Sequence, residues 1–113
     1  MAEQTHHDNI TTSVAKEYAD ILNTSEQGVY LYLDDSHKVC NENFSNLLGY
    51  DAPKDWAAIE TSFPEAFVAE KSQEVLVSAF QNAMEKNVAS TNNITWKRKD
   101  GSTVDTEVIL VPI

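Results

Sequence analysis

Apolar and polar positions along this chain fall into short blocks whose periods change several times. Val14, Tyr18, Ile21 and Leu22 recur at i, i+4, i+7 and i+8, with Lys16, Glu17 and Asp20 turned away from them. That spacing predicts one amphipathic helix over residues 13–24, capped by the hydroxyl of Thr12 or Ser13 and ending near Asn23. In GVYLYLDD the period drops to two. Val29, Leu31 and Leu33 share one face and Tyr30 and Tyr32 the other, which predicts a strand that is apolar on both faces and central in its sheet. DDSH reads as a turn and HKVCN as a short second strand, so the two make a hairpin.

NENFSNLLGY, residues 41–50, carries a complete helix. Asn41 is the N-cap, Phe44, Leu47 and Leu48 share a face, Gly49 suits a left-handed stop, and Tyr50 can fold back over the last turn. A helix this short is marginal alone, so tertiary packing must hold it. Asp51 and Pro53 open another short helical segment with Trp56 and Ile59 on its apolar side. Pro64 interrupts, and FPEAFV reads as a connector. A longer helix is predicted from about Ser72 to Lys86, burying Leu76, Ala79, Phe80, Ala83 and Met84, with Asn87 as its stop. The chain closes with a second hairpin. Asn92, Ile94 and Trp96 alternate with Thr91, Asn93, Thr95 and Lys97, and Asp100-Gly101 is a two-residue turn signal. Val104, Thr106, Val108 and Leu110 then share a face opposite Thr103, Asp105 and Glu107. Ile109 and Val111 break that polarity, so the end of the outer face needs a cover, and the helix at 13–23 is the candidate.

Size and charge narrow the classes. At 113 residues the chain is one domain with an ordinary globular composition, 42% hydrophobic and 23% charged. No run of about 18 apolar residues exists to span a membrane. Residues 1–12 read as a polar, flexible N-terminus without a secretory signal. A net charge of −10 opposes binding to phosphate backbones and to anionic lipid. Lys97-Arg98-Lys99, the one basic cluster, reads as a solvated strand end. The single cysteine, Cys40, makes no internal disulfide, which fits a reducing, cytoplasmic compartment.

Helix, hairpin, several short helices, one longer helix and a final hairpin describe an α+β domain built on one antiparallel sheet. In that order, with N-E-x-F-x-x-L-L-G-Y at 41–50 and KRKDGSTVDTEVILVPI at the end, the chain resembles the PAS domain family over residues 25–113. The resemblance implies a sensory, signal-transducing module and not an enzyme. In such modules the short helices and the longer helix lie on one face of the sheet with a pocket between. They bind small molecules or form dimers, and they pass a conformational change to a kinase or regulator. It also implies that residues 13–24 are a flanking helix used for dimerisation or to cap the sheet, through Val14, Tyr18, Ile21 and Leu22. PAS domains usually carry a fifth strand in mid-sheet, whereas this sequence stops at Pro112-Ile113. Either the chain is truncated or the sheet closes differently, for instance with a partner chain. Unpaired strand edges are prone to associate, so a homodimer, swapped or not, is expected.

Candidate ligand contacts are Tyr30, Tyr32, Phe44, Leu48, Phe80, Ile94, Trp96 and Val108, for which plain core packing is the competing reading. No cofactor is evident. Covalent flavin chemistry is not supported, because FPEAFVAEKSQ contains no cysteine, and haem is not supported, because SQEVLVSAFQNAMEK contains no histidine. Lys38 sits where it would favour a Cys40 thiolate, a redox reading set against simple packing. Asp34, Asp35 and His37 read as turn chemistry before they read as a metal cluster, and His6 and His7 lack further ligands nearby. Two readings remain: an interaction module with a filled core, and a small-ligand sensor.

Overall fold

The computed structural model describes Ser13 and residues 16–112. The expectations placed on Val14, His6, His7 and the rest of residues 1–12 lie outside the described residues. The chain divides into two compact units, Met1–Thr61 and Ser62–Ile113.

In the first unit Ser13, Lys16 and Glu17 are helical, but the chain leaves the helix at Tyr18 and resumes as α1, Ala19–Thr24. The predicted single helix is therefore broken. No residue of α1 is buried, and Ile21 is 51% exposed, so the apolar stripe that defines this helix in the sequence is not used as core. Strand β1, Tyr30–Asp34, pairs antiparallel with β2, His37–Cys40, around a turn at Asp35-Ser36, with an irregularity between Tyr32 and Asp34. His37 is thus a buried strand residue and not a turn residue.

Asn41 caps α2, Glu42–Leu47, its side chain accepting from the Phe44 N–H. At the other end the Tyr50 N–H reaches the Ser45 carbonyl at 2.9 Å and the Gly49 N–H the Asn46 carbonyl at 3.0 Å. That pair of bonds is a Schellman end, and it needs the positive φ of 83° that Gly49 supplies. Helix α3, Pro53–Ala57, follows with proline in its first turn and Trp56 wholly buried.

The second unit begins where a connector was expected. Residues FPEAF form a helix, α4, Phe63–Phe67. Proline is tolerated in a first helical turn, and the i, i+4 spacing brings Phe63 and Phe67 together with ring centroids 5.1 Å apart, both rings buried. Helix α5, Glu70–Lys86, starts two residues before the expected Ser72 and ends at Asn87 in the left-handed region. Its buried line is Ser72, Leu76, Ala79 and Ala83. Phe80 is half-buried and Met84 is 68% exposed, so Met84 does not belong to the predicted stripe.

Strands β3, Ser90–Lys97, and β4, Thr103–Leu110, pair antiparallel in unbroken register from Ser90–Leu110 to Lys97–Thr103. The turn is longer than the expected two residues. The Gly101 N–H bonds the Arg98 carbonyl and the Arg98 N–H bonds the Ser102 carbonyl, leaving Lys99, Asp100 and Gly101 as a three-residue loop with Gly101 at φ 89°. The expected sheet is realised among the described residues as two two-stranded ladders, β1–β2 and β3–β4. Among the described residues strand β1, predicted to be central, pairs with β2 alone.

Candidate functional site

In the first unit three aromatic rings pack on one another. The Tyr30 and Phe44 centroids are 4.9 Å apart, Phe44 meets Trp56 edge-on at 5.2 Å, and Tyr30 lies 6.3 Å from Trp56. Phe44 and Leu48 are buried, as helix spacing from the Asn41 cap requires. Burial pushes the Tyr30 hydroxyl up to about 12. Tyr32 is turned to other work: its hydroxyl donates to the Asp35 carboxylate at 2.8 Å, and burial, then that bond, raises its pKa.

Lys38 is the charged member of this site. Its ammonium is buried and donates to the carbonyls of Asp35 (2.5 Å), Ala57 (3.2 Å) and Ile59 (2.5 Å), 5.3 Å from the Trp56 ring. It thereby ties the β1–β2 turn to the C-terminal end of α3, where carbonyls lack helical partners and positive charge is favoured. Burial lowers its pKa, against the opposing pull of Asp35, Glu60 and Asp34. Lys38 is therefore a structural tether. Cys40 is buried and its thiol is pushed up to about 12 by burial, which outweighs the Ser45 backbone bond and the Lys38 charge. The thiolate that a redox role needs is not favoured there.

At the β1–β2 turn His37 Nδ1 lies 2.7 Å from Asp34 Oδ1, which also accepts from the Ser36 N–H at 2.9 Å. This is turn chemistry. No group of three or more His, Cys, Asp or Glu residues is arranged to hold a metal ion among the described residues.

In the second unit Ile94, Trp96 and Val108 are buried on the face of the hairpin, with Phe80 half-buried on α5. Trp96 lies 6.0 Å from the Phe63 ring and donates from its indole nitrogen to the Thr106 hydroxyl at 2.6 Å. The outer edge of β3 is occupied near this point. The Ala69 N–H bonds the Thr95 carbonyl and the Thr95 N–H bonds the Ser72 hydroxyl, each at 2.9 Å, beside an isolated bridge between Val68 and Trp96.

The eight candidate contacts thus divide evenly: Tyr30, Tyr32, Phe44 and Leu48 in one unit, Phe80, Ile94, Trp96 and Val108 in the other. Sequence reasoning missed Phe63 and Phe67, whose i, i+4 spacing was the available signal, and it missed the tether at Lys38, which has no local signal. Of the residues expected to serve dimerisation, Tyr18 and Leu22 are half-buried and Ile21 stands open, while Val14 is outside the described residues. Ile109 and Val111, over which a cover was expected, are 66% and 58% exposed.

No family model matches the sequence, and no curated protein matches it. A solved structure does: the crystal structure of the PAS domain of an HTR-like protein from Haloarcula marismortui. The likeness has a TM-score of 0.52 at 20% identity and covers 96% of this chain and 85% of that one. The chain therefore has the fold of a PAS domain, an α+β arrangement of antiparallel strands and helices. Among the described residues no helix is long and apolar enough to cross a membrane.

Proposed function

We propose that this chain is a non-catalytic, cytoplasmic signalling module of the PAS type. It works through self-association and passes a conformational change to a kinase or regulator. The observation that supports this reading is where apolar surface is used and where it is left over. The candidate rings Tyr30 and Phe44 pack on each other and on Trp56 in the first unit, and Trp96 packs against Phe63 in the second. Meanwhile, within the second unit, Met84, Ile109 and Val111 are each more than half exposed. Single exposed apolar residues are ordinary; several at strand and helix ends of an acidic protein fit a contact surface better than a ligand cavity.

Native mass spectrometry of gently purified protein across a dilution series tests the reading. A dimer without adduct that dissociates on dilution is the expected result. A stoichiometric small-molecule adduct on the folded species makes the chain a ligand sensor instead. A monomer at every concentration removes self-association from the account.

A further inference from the structure

The loop that joins β3 to β4 carries a dipeptide with chemistry of its own. In Asp100-Gly101 an aspartyl side chain precedes a residue that has none. The Gly101 main-chain nitrogen can then attack the carboxyl carbon of Asp100, because no Cβ at residue 101 obstructs the five-membered ring that forms. Both residues are exposed, and the space where a side chain at Gly101 would lie is empty to 4 Å.

The turn holds both reactants away from that reaction. The Gly101 N–H is committed to the Arg98 carbonyl at 2.9 Å, and the Arg98 N–H closes the loop on the Ser102 carbonyl at 2.7 Å. The Asp100 carboxylate reaches past Gly101 to residue 102. Its Oδ1 accepts from the Ser102 N–H at 2.9 Å and from the Ser102 hydroxyl at 2.6 Å. Those two donors, the hydroxyl first, hold the Asp100 carboxyl below its ordinary value, and the Arg98 charge adds to them. The carboxylate is the unreactive form, since its oxygen leaves as water only from the protonated acid.

We propose that Asp100-Gly101 is a self-modification site, an isoaspartate-forming position that the Ser102 side chain keeps closed. When the turn opens, the Gly101 nitrogen bonds to Asp100 Cγ and the Cγ–OH bond breaks. The Gly101 amide proton leaves with that hydroxyl as water, and a succinimide ring remains. Water then adds to one of the two ring carbonyls. Addition at Cγ restores aspartate. Addition at the Asp100 main-chain carbonyl leaves the chain running through Cγ, with the α-carboxylate as the side group. One water leaves and one enters, so the mass is unchanged and no other reactant is needed. The inference does not depend on self-association.

The consequence reaches the hairpin. An isoaspartyl link adds one carbon to the main chain of the loop and takes the carboxylate from its Ser102 donors. Loop length and turn geometry set hairpin register. The lengthened loop therefore works against the Lys97–Thr103 and Trp96–Val104 pairs beside it, and Trp96 is a buried core ring.

Incubation of the full chain in heavy-oxygen water at about pH 5, where an ordinary aspartyl group is still partly protonated, followed by peptide mapping, tests the site. Each pass through the imide puts one heavy oxygen on residue 100, and electron-based fragmentation separates the two linkages. The native chain is expected to react slowest and the urea-unfolded chain fastest. Ser102→Ala, which keeps the backbone bonds of the turn, is expected to react roughly threefold faster or more than the native chain, the effect of losing one hydrogen bond to the carboxylate. Ser102→Thr keeps the hydroxyl and is expected to match the native rate. Ser102→Ala at the native rate, or a native chain as fast as the unfolded one, overturns the closure by Ser102. No heavy oxygen at Asp100 in the unfolded chain overturns the site itself.

Discussion

Asn41 joins three backbone groups through one buried amide. Its Oδ1 accepts from the N–H groups of Val29 and Phe44, both at 2.9 Å, and its Nδ2 donates to the Gln27 carbonyl at 2.7 Å. Asn41→Ala removes a helix cap and leaves the Val29 and Phe44 donors without their acceptor, so a loss of about 2–3 kcal/mol is expected in urea unfolding. Asn41→Asp keeps the acceptor but turns an oxygen on the Gln27 carbonyl, and should lose less. The cap was legible from the sequence; the two long-range bonds were not, because nothing local marks residues 27 and 29 as neighbours of 41. Cys40 and Tyr30 make a second prediction. Both pKa values are raised in the folded state to about 12, from 9.0 and 10.0. The folded chain therefore holds protons that the unfolded chain releases. This contribution is whole below about pH 9 and is lost as pH rises through 12, so stability should fall over that window. Cys40→Ala should flatten the first part of the fall. Unfolding curves of both proteins at about pH 8 and pH 11 check it, and parallel losses would assign the effect elsewhere.

Among the elements, α4 shows how a strong local rule can mislead. Pro64 made FPEAFV read as a connector, yet proline in a first turn starts a helix as readily as it ends one. What decides is the burial of Phe63 and Phe67 with Val68 beside β3, a tertiary fact. Phe67→Ala should cost about 3–5 kcal/mol, the range for emptying a buried aromatic site, measured by chemical denaturation; a loss under about 1 kcal/mol would return the segment to connector status. The reverse case is α1. Its apolar stripe is clear in the sequence, yet none of its residues is buried, and a period reports amphipathicity without naming what covers the face. Helix α2 was fully readable because every signal in it is local: Asn41 at one end, Gly49 at the other, Phe44 and Leu48 between.

At the scale of the whole molecule, order of elements and strand character carried the α+β class, and the likeness to a solved PAS domain supports it over nearly the whole chain. Strand pairing was less legible. Each hairpin is fixed by its own turn and alternation, but the sequence holds no local signal for what lies beside β1 or β4, and the described ladders stay two-stranded. A two-stranded ladder is marginal by itself. Each ladder here is supported by a helix packed on it, α3 on β2 and α5 on β3, and the self-association proposed above would add to that support. Thermal unfolding followed over about a hundredfold range of protein concentration tests that claim most directly, since any partner that binds only the folded state raises the melting temperature by mass action. The account predicts a Tm that climbs steadily with concentration. The same Tm at every concentration would contradict it.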